Sequence, residues 1–236
     1  MPAPQRSSVR NRLLRALSPA DFALLQPALQ PVATELRQTL ITPDEPIRTL
    51  YFPEDSLASI VSGAAGRVEI GVIGREGLVG AAPVLLAVDR SPFHHFVQSP
   101  GGMLSIATAD LLAAVDESPT LRGLLLRFVQ ILMLQTAQTA FVNAAYNIDV
   151  RLARWLLMCH DRLEGDDLVL THEFLSLMLG AQRSSTTLAV QALEGHGLIR
   201  ARRGRITILS REGLEAVVDD GYGLPEREYA RLIGSL

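Results

Sequence analysis

The sequence contains no lysine, and all 22 of its basic residues are arginine. Exclusive use of one cation can arise from coding preference alone, so the placement of the arginines carries more information than their number. There is one cysteine, Cys159, in the apolar run Trp155 to Cys159. A single cysteine excludes a disulfide framework and a multi-cysteine iron–sulfur site, and its apolar neighbours mark it as a buried structural thiol rather than a redox sensor. Aromatic residues make up only 5% of the chain, too few for a surface on which bases stack. No G-x-S-x-G, no phosphate-binding loop and no pair of acids at helical spacing in an apolar setting occurs, so no catalytic residues are assigned and an enzyme is not expected. His94 and His95 are adjacent, and neighbouring strand residues point to opposite faces. They cannot ligate one ion from a regular strand, and no metal site is expected. The N-terminus carries Arg6, Arg10, Arg12 and Arg15 with no acid before Asp21, but lacks the continuous apolar core of a secretory signal. Residues 1–17 therefore read as a flexible tail, and the chain as cytoplasmic.

What is present is a 236-residue chain, 48% hydrophobic, with a net charge of −3. That is enough for one large and one small domain. Ser18 and Pro19 open a helix, as N-cap and first helical residue. From Val32 to about Thr108 short apolar runs alternate with turn residues, and strands are expected at 49–52, 57–61, 67–73, 93–99 and 103–108. Strands of that length and spacing predict a β-barrel or jelly roll, which with a short flanking helix at 110–115 fills 18–117.

Ser118–Pro119 opens a long helix, 118–148. Leu121, Leu125, Phe128, Leu132, Gln135, Thr139 and Val142 follow a seven-residue repeat and predict a face for a partner helix, hence a homodimer. No charged residue lies between Phe128 and Ile148. A membrane span is the competing reading. Gln130, Gln135, Gln138, Asn143 and Asn147 would be costly in lipid, so contact with protein on several sides is expected instead.

The region 149–215 begins with a helix capped by Asp149 and then turns to a distinctive order. Thr171 is an N-cap, Glu173 sits in a first turn, and Phe174, Leu175, Met178 and Leu179 form an apolar helical stripe. Gly180 permits a tight turn. A second helix starts at Gln182 or Arg183, with Leu188, Ala189, Ala192 and Leu193 expected inward and Arg183, Ser184, Ser185, Thr187 and Gln191 outward. Two short strands, 198–200 and 206–208, flank a basic tip. Between Arg183 and Arg211 there are six arginines against one acid, Glu194, in a chain that is negative overall. Helix, glycine turn, helix and basic hairpin form the pattern of a winged helix-turn-helix that binds double-stranded DNA. Arg183, Ser184 and Thr187 are expected to read base edges. Gln182, Ser185, Arg202, Arg203 and Arg205 are expected to hold the backbone or enter the minor groove beside the wing. Residues 216–236 read as a C-terminal tail without assigned chemistry.

The run from Thr171 to Leu188, followed by Gly197 to Leu209, resembles the DNA-binding domain of the cyclic-AMP receptor protein–FNR (Crp/Fnr) superfamily of transcription regulators. The resemblance implies an α+β chain: an N-terminal jelly roll like a cyclic-nucleotide-binding domain, a long dimerisation helix and a C-terminal winged helix. It implies that Arg183 reads guanine, whereas Ser184 stands where many members carry a base-reading Glu and Leu188 where the best-known member carries a second base-reading Arg. It also implies an effector pocket containing Gly80, Arg90 and Ser91. Ala81 occupies the place of the ribose-binding Glu, and Glu76 lies five positions earlier. A ribose hydroxyl left without its acceptor costs about 1–3 kcal/mol, or one to two decades in affinity, which argues against cyclic AMP as cofactor and leaves another effector, or none. The partners implied are a palindromic operator and RNA polymerase. The rival reading is a small-molecule sensor or jelly-roll enzyme whose helical tail mediates protein contacts.

Overall fold

The computed structural model describes residues 4–62, 68–170 and 172–234. Thr171, the expected helix cap, and the turn expected within 62–66 fall wholly or mostly outside them. Of the residues expected to form a flexible tail, those from Val9 onward instead build part of the core. Val9, Leu13, Leu14 and Leu17 are all buried around the short helix α1 (Arg12–Arg15). Asn11 fixes this segment: its Oδ1 accepts from the Leu14 amide at 3.0 Å, and its Nδ2 donates to the Pro53 and Gly77 carbonyls at 2.8 and 2.9 Å. The apolar residues recur three to four apart, a period that a count of arginines conceals.

Helix α2 (Pro19–Leu25) starts where Ser18 accepts the Asp21 amide. Strands β1 (Gln30–Ala33), β2 (Thr39–Ile41), β3 (Thr49–Pro53), β4 (Leu57–Ser62) and β5 (Val68–Ile73) follow, then the short helix α3 (Ala81–Leu85). After β6 (His94–Ser99) and β7 (Gly102–Ala107) the chain enters helix α4 (Thr108–Glu117). All pairings in this domain are antiparallel, in a three-stranded sheet β1-β7-β3 and a four-stranded sheet β2-β6-β4-β5. The two inner faces enclose one aliphatic cluster that includes Leu50, Ile60, Ile73, Val97 and Met103. On β6, His95 is buried, whereas His94 stacks on Phe96 with ring centroids 5.5 Å apart.

Helix α5 (Pro119–Ala145) is capped by Ser118, whose Oγ accepts from the Leu121 amide at 3.2 Å. The seven-residue repeat expected to meet a partner lies against the helix's own protomer. Leu121, Leu125, Phe128 and Leu132 belong to the β-domain core, and Val142 is buried as well. Gln135 accepts from the Val72 amide at 2.8 Å and donates to the Val72 carbonyl at 3.2 Å, so it pairs with the edge strand as another strand would. Thr139 accepts from Arg154 at 3.1 Å. The repeat marks a packed face, and that face satisfies its own polar groups internally. The opposite stripe is open: Leu126, Gln130, Met133, Ala137, Ala140 and Ala144 are exposed at alternating spacings of four and three.

Helix α6 (Ile148–His160) begins one turn earlier than expected, after Asn147, so Asp149 sits within the first turn rather than capping it. Strand β8 (Asp167–Leu168), helix α7 (His172–Leu179), helix α8 (Arg183–Gly195), strands β9 (Ile199–Arg202) and β10 (Arg205–Ile208) and helix α9 (Arg211–Val218) complete the C-terminal domain. Its core is continuous with the outer face of the four-stranded sheet, where Leu57, Val61, Val72 and Phe96 join Trp155, Leu175 and Met178. Helix α10 (Leu224–Leu232) then returns to α5. Tyr229 is buried there and donates to the Glu76 carbonyl at 2.9 Å, and Arg127 donates to the Leu232 carbonyl at 3.2 Å.

Candidate nucleic-acid interface

Gly180 makes the turn between α7 and α8. Its φ is +57°, and a Cβ there would stand 2.8 Å from Val68 Cγ2, so both conformation and space favour glycine. Gln182 then occupies the N-cap of α8 without a side-chain capping bond. Thr186, Ala189, Val190 and Leu193 form the buried stripe of α8. Opposite it stand Arg183, Ser184, Leu188 and Gln191, all exposed, with Ser185 and Thr187 half-buried at its sides. The Thr187 hydroxyl donates to the Arg183 carbonyl at 2.9 Å, so toward a base edge its oxygen serves as an acceptor.

The expected inward place of Leu188 is corrected here: the side chain is 67% exposed. Val190 takes the buried position, because the stripe follows 186, 189, 190 and 193 rather than 188, 189, 192 and 193. Ala192 is likewise exposed. Both assignments are one register off, an ambiguity that alanine and leucine on a short helix leave open.

The wing is tighter than expected. Strands β9 and β10 pair from Ile199↔Ile208 to Arg202↔Arg205, leaving Arg203 and Gly204 as a two-residue tip with Gly204 at φ +74°. Arg202 and Arg203 are exposed. Arg205 instead meets Asp167 of β8 at 2.9 Å, so a phosphate would compete with that carboxylate for it. The second strand of the wing is thus held by β8, which also pairs with β10.

Residues 150–217 match the Crp-like helix-turn-helix domain family. The chain is also 24% identical over 185 residues to the global nitrogen regulator of Nostoc sp., covering 74% of this chain and 82% of the relative. The chain therefore carries the DNA-binding domain of a Crp/Fnr-type transcriptional regulator. Solved structures agree in fold. One, described as a transcriptional regulator of the crp/fnr family from Eubacterium rectale, has 15% identity and a TM-score of 0.67, over 87% of this chain and 97% of that one. FixK2 from Bradyrhizobium japonicum has 13% identity and a TM-score of 0.69, over 80% and 96%.

The expected effector residues of this regulator are engaged locally. Gly80 has φ +88° and packs against Ile41 and Leu50, at the start of α3. Arg90 is paired with Asp89 at 3.0 Å and donates to the Asp44 carbonyl at 3.3 Å. The Ser91 hydroxyl accepts from the Phe93 amide at 3.1 Å. Ala81 is buried and offers no acceptor. Glu76 is not open to a ribose either: it accepts from Arg162 at 2.8 Å, with both side chains only 5% exposed, and from the Gly74 amide. A cleft lies elsewhere: about 650 Å³ opens between the outer sheet face and the turn before α8, lined among others by Arg37, Val68, Phe96, Phe174, Leu177 and Gln182.

One feature of the interdomain contact has no signature in the sequence. Glu69 on β5 is buried against α6, where it accepts from Trp155 Nε1 at 2.5 Å and lies 2.7 Å from Ser59 Oγ. Burial pushes its carboxyl up to about 7, against the opposing hydrogen bonds. Cys159 lies beside this group, accepts from Gln98 Nε2 at 3.4 Å, and has its thiol pushed up by burial, as expected of a structural cysteine.

Proposed function

We propose that the regulator acts in the cytoplasm as a homodimer that reads a roughly palindromic operator, without catalysis and without cyclic AMP. The observation that supports this best is α8, which presents Arg183, Ser184 and Gln191 outward beside a hairpin carrying Arg202 and Arg203. Such side chains match guanine, adenine and phosphate acceptors, and the arrangement suits a helix lying in the major groove with its wing on the backbone. Arg183, Ser184 and Thr187 are assigned to base edges. Gln182, Ser185, Arg202, Arg203 and, in competition with Asp167, Arg205 are assigned to the backbone. The uncapped amides at the start of α8 add donors for a phosphate.

Dimerisation is assigned to the open stripe Leu126, Gln130, Met133, Ala137, Ala140 and Ala144, whose 3.5-residue period suits a parallel helix pair and whose alanines permit close approach. Although α5 is long and apolar enough to cross a bilayer, the bonds of Gln135 and Gln138 to backbone groups of this chain favour a protein setting and no membrane. A two-fold dimer places its half-sites about 34 Å apart, one helical turn, or a multiple of it. RNA polymerase is the further partner assigned to the DNA-bound dimer.

The test is selection of ligand-free protein against a random duplex pool, then sequencing. Enrichment of one palindrome is the expected result. Enrichment only of unpaired half-sites overturns the dimer, and no enrichment with or without cell extract overturns the DNA assignment.

A further inference from the structure

We propose that Leu188 is a specificity determinant that selects thymine by packing on its 5-methyl group. The inference rests on α8 being the groove-reading helix. Leu188 is 67% exposed and lies opposite the buried stripe of that helix, between Ser184 one turn before it and Gln191 one turn after. Single exposed leucines elsewhere on a surface are ordinary and need no ligand. This one stands at the centre of a face otherwise made of hydroxyls, an amide and a guanidinium, where insertion into a groove would take it out of water.

The chemistry of the major groove then fixes what it would choose. Base edges there present acceptors, amino donors and a single apolar feature, the methyl of thymine. Against guanine or adenine a leucine covers an acceptor, and against cytosine or adenine an amino donor, and each then loses its water without gaining a partner. Against thymine the same side chain buries methyl on methyl. The polar neighbours on α8 select by hydrogen bonds, and Leu188 adds selection by exclusion. Because its side chain is largely solvated, its replacement leaves the core of the domain untouched.

The experiment uses the full-length protein and the sequence it enriches from a random pool. Each thymine of a half-site is replaced singly by deoxyuridine, which deletes only the methyl, and affinities are measured by fluorescence anisotropy for wild type and Leu188→Ala. Wild type is expected to lose about three- to fivefold at one thymine per half-site, the scale of one buried methyl. Leu188→Ala is expected to bind the natural site more weakly and to be indifferent to that one substitution, so that the two changes are coupled. If wild type tolerates every deoxyuridine, or if Leu188→Ala keeps the full loss at the same thymine, the assignment of Leu188 is overturned while the DNA interface stands. Failure to enrich any sequence, with cell extract supplied, overturns the interface and this proposal together.

Discussion

Arg183 is the first residue of α8 and the only cation on that helix, so the bidentate guanine contact proposed for the helix falls to it. Arg183→Ala is expected to cost about 1–3 kcal/mol at the preferred operator and to relax selection at one base position, measured by competition against single-base variants. Arg203 is exposed at the wing tip, and the proposed role for it is a phosphate contact. Arg203→Ala is expected to weaken specific and non-specific binding alike and to reduce the slope of log affinity against log salt by about one. An unchanged slope would remove the wing from the backbone contacts. Both positions were readable from residue type and order. The outward turn of Leu188 was not, because Leu188, Ala189 and Val190 in succession fit either of two neighbouring helical stripes until the core is assembled.

At the scale of the element, α5 carries two apolar faces, one packed on the β-domain and one open. Leu132 belongs to the β-domain core, and Leu132→Ala is expected to lower stability by about 2–5 kcal/mol in denaturant unfolding, the usual cost of a buried leucine. Met133, next in the chain, is 59% exposed on the open stripe. Met133→Arg is expected to leave the unfolding transition nearly unchanged and to convert the dimer to monomer in light scattering, with loss of palindrome binding. A dimer that survives this change would move the subunit contact off α5. The sequence announced a helix of this length with an apolar repeat, but not which side the β-domain would occupy. Both stripes are apolar, and a heptad pattern records only that a face is packed, not by which chain.

At the scale of the whole molecule, the C-terminal domain is docked on the sheet through a buried polar cluster. Ser59 Oγ lies 2.7 Å from Glu69 Oε2 and 2.5 Å from Gln98 Oε1, yet a hydroxyl has one proton to give. A proton on Glu69 satisfies both: Glu69 donates to Ser59, and Ser59 to Gln98. With its carboxyl raised to about 7 from 4.5, Glu69 binds its proton more tightly in the folded state than in the unfolded one. Its contribution is therefore fully present below pH 4.5 and is lost as pH rises through 7, on the order of 3 kcal/mol at about 1.4 kcal/mol per unit. Glu69→Gln, which keeps the shape and has no proton to lose, is expected to flatten the fall in stability between pH 5 and 8 in urea titrations. An unaltered pH profile would mean that Glu69 does not carry this proton. The Glu76–Arg162 pair ties the same two domains, and Arg162→Ala is expected to cost about 3–5 kcal/mol because it leaves the buried Glu76 without its counter-charge.

Local chemistry determined much of this protein from its sequence alone. Alternating short strands, the Ser118–Pro119 start, the Gly180 turn and the arginines around Gly204 each depend on a few adjacent residues, so the β-domain, the long helix and the DNA-reading module were legible in order. Only the tertiary structure decided what those elements face. It buried the arginine-rich N-terminal segment by its leucines, turned the α5 repeat inward onto Val72, engaged Glu76 with Arg162 and Arg90 with the Asp44 carbonyl, and brought Tyr229 back to the loop at Glu76. These are contacts between residues distant in the chain, or choices between two similar faces, and neither leaves a trace in local spacing. The period of a helix reports that it is amphipathic, while its partner is chosen by the shape of the rest of the fold.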